Sequence, residues 1–128
     1  MIRSALIILF TLTTCSKDET VSGQTDTTDV WVLTELGNAP VTPRITLEFP
    51  EQGRITGQGP CNKYSGSQTV PMPWFEVKGL AATKMACPDL KLETRYFDLL
   101  QKMATAEVAG NTLILQSDDG RMLVYKNN

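Results

Sequence analysis

The stretch Pro88–Met103, PDLKLETRYFDLLQKM, is the part of the chain that repeats on a helical period. Leu92, Tyr96, Leu99 and Met103 fall at i, i+4, i+7 and i+11, one stripe of an amphipathic helix, and Phe97 and Leu100 widen it. Pro88-Asp89 reads as a helix start, with Asp89 as N-cap and its carboxylate at the positive end of the helix dipole. Such a stripe is core packing.

On both sides of the helix the period drops to two. Upstream, Trp31-Val32-Leu33 opens the folded part, and Ile45-Thr46-Leu47-Glu48-Phe49 alternates as a half-buried strand does. Pro50-Glu51-Gln52-Gly53 is turn chemistry, and Arg54-Ile55-Thr56-Gly57 returns as the second arm of a hairpin. The lone Gly57-Gln58-Gly59 has no following helix, so it reads as a bulge or tight bend rather than a phosphate cradle. Gln68–Pro73 is a loop, after which Trp74–Lys78 resumes the strand pattern. Downstream come Glu107-Val108-Ala109, Thr112–Gln116 and Arg121–Tyr125, separated by Gly110-Asn111 and by Ser117–Gly120. Asp118 and Asp119 lack calcium-loop spacing and are read as a hairpin turn. The class expected is α+β: an antiparallel meander sheet, strongly curved or barrel-like, with one helix packed against it between strands late in the chain.

The 128 residues make one domain at most, 41% hydrophobic and 20% charged. The formal charge of -2 and a pI near 5.1 argue against nucleic acid as a partner. There is no histidine, which removes imidazole metal ligands, Ser-His-Asp and Cys-His nucleophiles, and the commonest general base. Ser65 lacks a Gly-x-Ser-x-Gly context, and Glu93 and Asp98 do not share a helix face. The expectation is a non-enzyme with no catalytic residues, cofactor or metal, working as a monomer.

Residues 1–15 read as an address. Arg3 precedes an apolar run from Ala5 to Leu12, of signal-peptide length and too short to span a bilayer. The run ends in Leu12-Thr13-Thr14-Cys15, which resembles a bacterial lipobox, although Thr14 stands where Gly, Ala or Ser is usual. Acylation of Cys15 would hold the protein on a membrane; a plain secretory signal is the competing reading. Ser16, in place of Asp, suggests the outer membrane, with the protein facing the periplasm. Residues 16–29, SKDETVSGQTDTTD, hold one apolar side chain, Val21, and read as a flexible tether reaching about 45–50 Å when extended. Residues 30–128 form the domain. Three cysteines become an even pair, Cys61 and Cys87, once Cys15 is set aside. In an oxidising compartment the two are a disulfide or, failing that, buried thiols.

Two segments carry more than periodicity. Cys61-Asn62-Lys63-Tyr64-Ser65-Gly66 lies between strands, and Leu80-Ala81-Ala82-Thr83-Lys84-Met85-Ala86-Cys87-Pro88 runs into the helix. Together with Trp31–Leu33, Arg54–Gly57 and Glu93 they resemble the META domain, also called HslJ-like, of small bacterial envelope lipoproteins, over about residues 30–126. The resemblance implies a lipoprotein associated with heat shock and novobiocin resistance. It implies no known reaction, and a fold likened to a lipid-binding pilot lipoprotein of type III secretion. Asn62, Tyr64, Gly66, Thr83, Lys84, Met85, Pro88 and Glu93 are its motif residues. If Cys61 and Cys87 are joined, Asn62, Thr83 and Lys84 form a polar cluster beside the bridge, either a stabilising corner or a recognition surface. The partners implied are the membrane, an envelope protein or a hydrophobic ligand. Met72, Trp74 and Phe75 are the candidate ligand contacts, unless Trp74 and Phe75 alternate into the core.

Overall fold

The computed structural model describes residues 17–127. After a one-turn 3₁₀ helix at Val21–Gln24, nine strands and one α-helix follow. They are β1 (Trp31–Leu36), β2 (Ala39–Pro40), β3 (Thr46–Glu51), β4 (Gly53–Gln58), β5 (Lys63–Gln68), β6 (Lys78–Ala82), α1 (Leu90–Leu100), β7 (Met103–Ala109), β8 (Thr112–Ser117) and β9 (Met122–Lys126). All pairings are antiparallel, in the order β6-β5-β4-β3-β1-β9-β8-β7, with β2 attached to β1. Two meanders, β3–β6 and β7–β9, are thus joined through β1. The antiparallel sheet and the single late helix match the expected α+β class. The path is open, because β6 and β7 are its ends and do not pair.

Alternation puts one face of each strand in the core. Leu113 and Leu115 of β8 lie opposite Tyr125 and Leu123 of β9, and all four are fully buried. In β1 the buried positions are Trp31, Leu33 and Leu36. The change of parity comes from a bulge between Leu33 and Glu35 against β9, since an extra residue flips every later side chain. Helix α1 covers the core face with Glu93, Tyr96, Leu99 and Leu100. Burying a leucine there contributes about 1.5–3 kcal/mol. The helix stops at Leu100, and Met103, the end of the predicted stripe, instead opens β7 as a buried residue. Asp89 stands at the N-cap without a side-chain capping bond.

Three expectations need correction. Residues 17–29, the described part of the expected 16–29 tether, are not free over their length. Val21 is fully buried among core residues. The Asp18 carboxylate accepts from the Thr20 N–H (2.9 Å) and hydroxyl (2.6 Å), and from the Ser22 hydroxyl. Asp and Ser/Thr side chains bonding the nearby backbone build a local turn that composition alone does not reveal. Second, the first motif does not lie between strands: Lys63–Gln68 is β5, paired along its length with β4. Third, Trp74–Lys78 is not a strand. Only Trp74 bridges Thr105, with the Phe75 N–H donating to the Ala104 carbonyl (2.9 Å) and the Ala106 N–H to that of Pro73 (2.8 Å). This segment follows the outer edge of β7, and the strand proper begins at Lys78. Pro71 and Pro73 lack the N–H groups a ladder needs.

Candidate functional site

The two motifs meet at a corner where the β4–β5 turn, the chain leaving β6 and the start of α1 converge. Cys61 and Cys87 are joined as a disulfide with their Cα atoms 5.7 Å apart. Beside the bridge Asn62, 1% exposed, uses its whole side-chain amide. Its Nδ2 donates to Glu93 Oε1 (2.6 Å) and to the Met85 carbonyl (3.0 Å). Its Oδ1 accepts from the Met85 N–H (2.6 Å) and the Thr83 hydroxyl (3.0 Å). An amide has two donors and two acceptor sites, and here none is left over.

Glu93 is buried as well. Its Oε2 accepts from the backbone N–H groups of Cys61 and Asn62, both at 2.7 Å. An ionised carboxylate is acceptor-only, and every contact it makes here is with a donor. Lying in the first helical turn, its charge also suits the dipole. One helical carboxylate therefore holds the turn between β4 and β5, and the Gly59 N–H closes that turn on the Asn62 carbonyl (2.8 Å).

A second buried polar feature sits beneath. The Tyr64 hydroxyl donates to the Thr46 carbonyl (2.6 Å) and lies 2.7 Å from the Tyr96 hydroxyl, which is 2.9 Å from that of Tyr125. A carbonyl can only accept, so the direction follows: Tyr125 donates to Tyr96, Tyr96 to Tyr64, and Tyr64 to Thr46. Burial pushes Tyr64 and Tyr125 well above the ordinary phenol range, and the neighbouring tyrosine raises both further. Burial raises Tyr96 to about 12 against the opposing pull of its two hydroxyl partners. Gly57 leaves the space for this chain. A Cβ there would collide with the Thr46 carbonyl oxygen and stand 2.5 Å from the Tyr64 hydroxyl.

The remaining predicted residues scatter. Gly66 lies on the core face of β5 against Val77. Lys84 and Pro88 are exposed, and Met85 joins the corner by its backbone while its side chain is 63% exposed. Met85, Leu90 and Phe97 line an open groove of about 410 Å³ above Asn62 and Glu93. On the sheet's other face, Glu48, Arg54, Lys63 and Ser65 line a groove of about 580 Å³. The candidate ligand contacts do not form one surface. Phe75 is in the core, Met72 packs against it, and Trp74 is 59% exposed. Cys15 lies outside the described residues. Among the described residues no helix is long and apolar enough to cross a membrane, and no group of three or more His, Cys, Asp or Glu side chains gathers.

The roles of Tyr96 and Tyr125 were not read from sequence, nor was Glu93 seen as a buried acceptor. For Glu93 a signal existed. It sits three positions before Tyr96 and seven before Leu100, so its charge falls on the apolar face.

An open antiparallel sheet of two meanders, capped by one helix and stapled at a disulfide-bridged motif corner, defines a small α+β domain. The META domain family matches residues 24–128, and the chain belongs to that family. No curated protein matches the sequence. A protein structure solved by NMR is 27% identical and superposes with a TM-score of 0.63, covering 78% of this chain and 89% of that one. A second NMR structure, of a protein from Burkholderia xenovorans, has a TM-score of 0.65 at 24% identity. It covers 78% of this chain and 81% of its own, a likeness of fold alone.

Proposed function

We propose that this META-domain protein is a non-enzymatic lipoprotein of the cell envelope, held through Cys15 to the outer membrane on its periplasmic side. In this reading it supports stress or antibiotic tolerance through contacts of its surface with other envelope components. The observation that carries the proposal is the internal use of the motif's polar groups. Asn62, Glu93 and the three tyrosine hydroxyls spend their hydrogen bonds on one another and on the backbone. Groups so engaged hold a corner; they are not poised as base or nucleophile. In Cys15→Ala the protein is expected to move from the membrane to the soluble fraction, and unchanged membrane association would count against the anchor.

A second reading, a carrier of a lipid or other hydrophobic ligand on a strongly curved, barrel-like sheet, draws support from the apolar groove at Met85, Leu90 and Phe97. Native mass spectrometry of the Cys15→Ala protein separates the two. An adduct of lipid mass, lost in Leu90→Asp, favours the carrier; a clean monomer mass favours surface contact.

A further inference from the structure

We propose that the end of the domain bearing Trp74 lies in the headgroup layer of the membrane to which Cys15 is attached, with the Trp74 ring as its interfacial anchor. This rests on the lipid-anchor reading of Cys15 and adds to it a defined orientation.

The chain between Cys15 and the fold is short in sequence. Val21 is fully buried, and the backbone just before it is tied to the domain by the Met72 N–H, which donates to the Glu19 carbonyl at 2.7 Å. Cys15 stands four positions ahead of Glu19, about 14 Å at full extension. The chain therefore enters the fold beside Met72, within that distance of its acylated residue.

Trp74 is two residues further on. Its backbone is fastened on both sides: the Trp74 N–H donates to the Pro71 carbonyl (2.9 Å), the Phe75 N–H to that of Ala104, and the Ala106 N–H to that of Pro73. Phe75 turns into the core while Trp74 is left 59% exposed. An ordered loop thus presents an indole ring outward beside the point where the anchor leaves.

Dimensions then decide the placement. The headgroup layer is about 5–7 Å thick on each side of the hydrocarbon, so about 14 Å of chain keeps this loop at the membrane surface. Tryptophan favours that layer, where its apolar body and N–H are both accommodated. Charge nearby is mixed, with Lys17 and Glu19 both exposed and Lys78 3.6 Å from Glu76. The ring and the anchor, rather than a basic patch, hold the orientation.

The test uses the acylated full-length protein in vesicles of phosphatidylethanolamine and phosphatidylglycerol, with or without dibrominated phosphatidylcholine, which quenches indole emission on contact. The chain has two tryptophans, and Trp31 is 1% exposed, so Trp74 reports. Emission is expected to be lower on brominated vesicles, and Trp74→Ser is expected to abolish the difference. Equal emission on both vesicles, with acylation of Cys15 verified by mass, overturns the proposal. If mass shows Cys15 unmodified, the anchor reading fails by itself. The chain from Cys15 is then coupled by that thiol to a maleimide phospholipid, Cys61 and Cys87 being bridged. Quenching there sustains the placement as a property of the fold, and equal emission overturns it.

Discussion

Replacing Glu93 by glutamine keeps the shape of the side chain and reverses half of its chemistry. The carboxylate takes two backbone N–H groups on Oε2 and the Asn62 amide on Oε1. Glutamine can keep the two backbone bonds by placing its carbonyl oxygen there, but its amide nitrogen then faces the Asn62 nitrogen, donor against donor. Asn62 cannot turn over in response, because its oxygen already holds Thr83 and the Met85 N–H. Hydrogen bonds to charged groups contribute about 1.5–3 kcal/mol net and neutral ones about 0.5–1.5. Weakening two and losing one therefore costs about 3 kcal/mol. For a domain of this size that lowers Tm by about 10–15 °C. The assay is urea and thermal unfolding followed by circular dichroism with the disulfide intact, reading a fall in midpoint at constant m-value. Asn62→Ala removes the amide that opposes the glutamine. Glu93→Gln should then cost about 1–2 kcal/mol less in that background. A Glu93→Gln midpoint equal to that of wild type, or strictly additive costs in the double-mutant cycle, would refute the reasoning.

Tyr64, Tyr96 and Tyr125 are all the tyrosines of the chain, and each is buried with its phenol shifted upward. The unfolded chain loses these protons near pH 10 while the folded chain keeps them, so the native state binds more protons. Stability should hold below pH 10 and fall between 10 and 12, by up to about 1.4 kcal/mol per pH unit for each tyrosine. Phenolate absorbance rising near pH 10 in a still-folded protein would contradict this. Gly57→Ala is expected to cost about 3 kcal/mol or more in urea unfolding, because the new methyl meets a carbonyl and a buried hydroxyl that cannot retreat. Gly110→Ala, where φ is +58° but nothing lies within 4 Å, should cost only about 1–2 kcal/mol. Reduction of the Cys61–Cys87 bridge, whose ends are 26 positions apart, should lower stability by about 3 kcal/mol. Alkylation without reductant should label neither cysteine.

What could be read from the sequence was what depends on neighbours along the chain. The hairpins and the helix announce themselves by period, and Pro88-Asp89 marks the helix start to within two residues. What escaped depends on distant partners. The hydroxyl chain takes one tyrosine from β5, one from α1 and one from β9, and no local pattern links them. The segment around Val21 resembled a linker because one valine in fourteen residues has little weight in composition; its burial depends on a pocket built by strands far downstream. Trp74 and Phe75 were read as a strand by alternation. The alternation is real, one side chain out and one in, but flanking prolines leave it a single bridge.

The central place of β1 has a consequence for how the molecule can be made. Two of its pairing partners, β2 and β3, follow shortly, but its other neighbour is β9, the last of the described strands, with Val32 opposite Lys126 and Leu36 opposite Leu123. Until Met122–Lys126 arrives, the two meanders meet at the Trp74–Thr105 bridge but are not joined through β1, and both β1 and β8 present bare edges in the middle of the unfinished sheet. A chain lacking β9 is thus exposed along β1 and β8, in the middle of its sheet, rather than at its rim. Loss of the last five-residue strand should drive aggregation far more strongly than equal damage to the edge strand β6, an outcome that sedimentation of the two truncated or disrupted forms can decide.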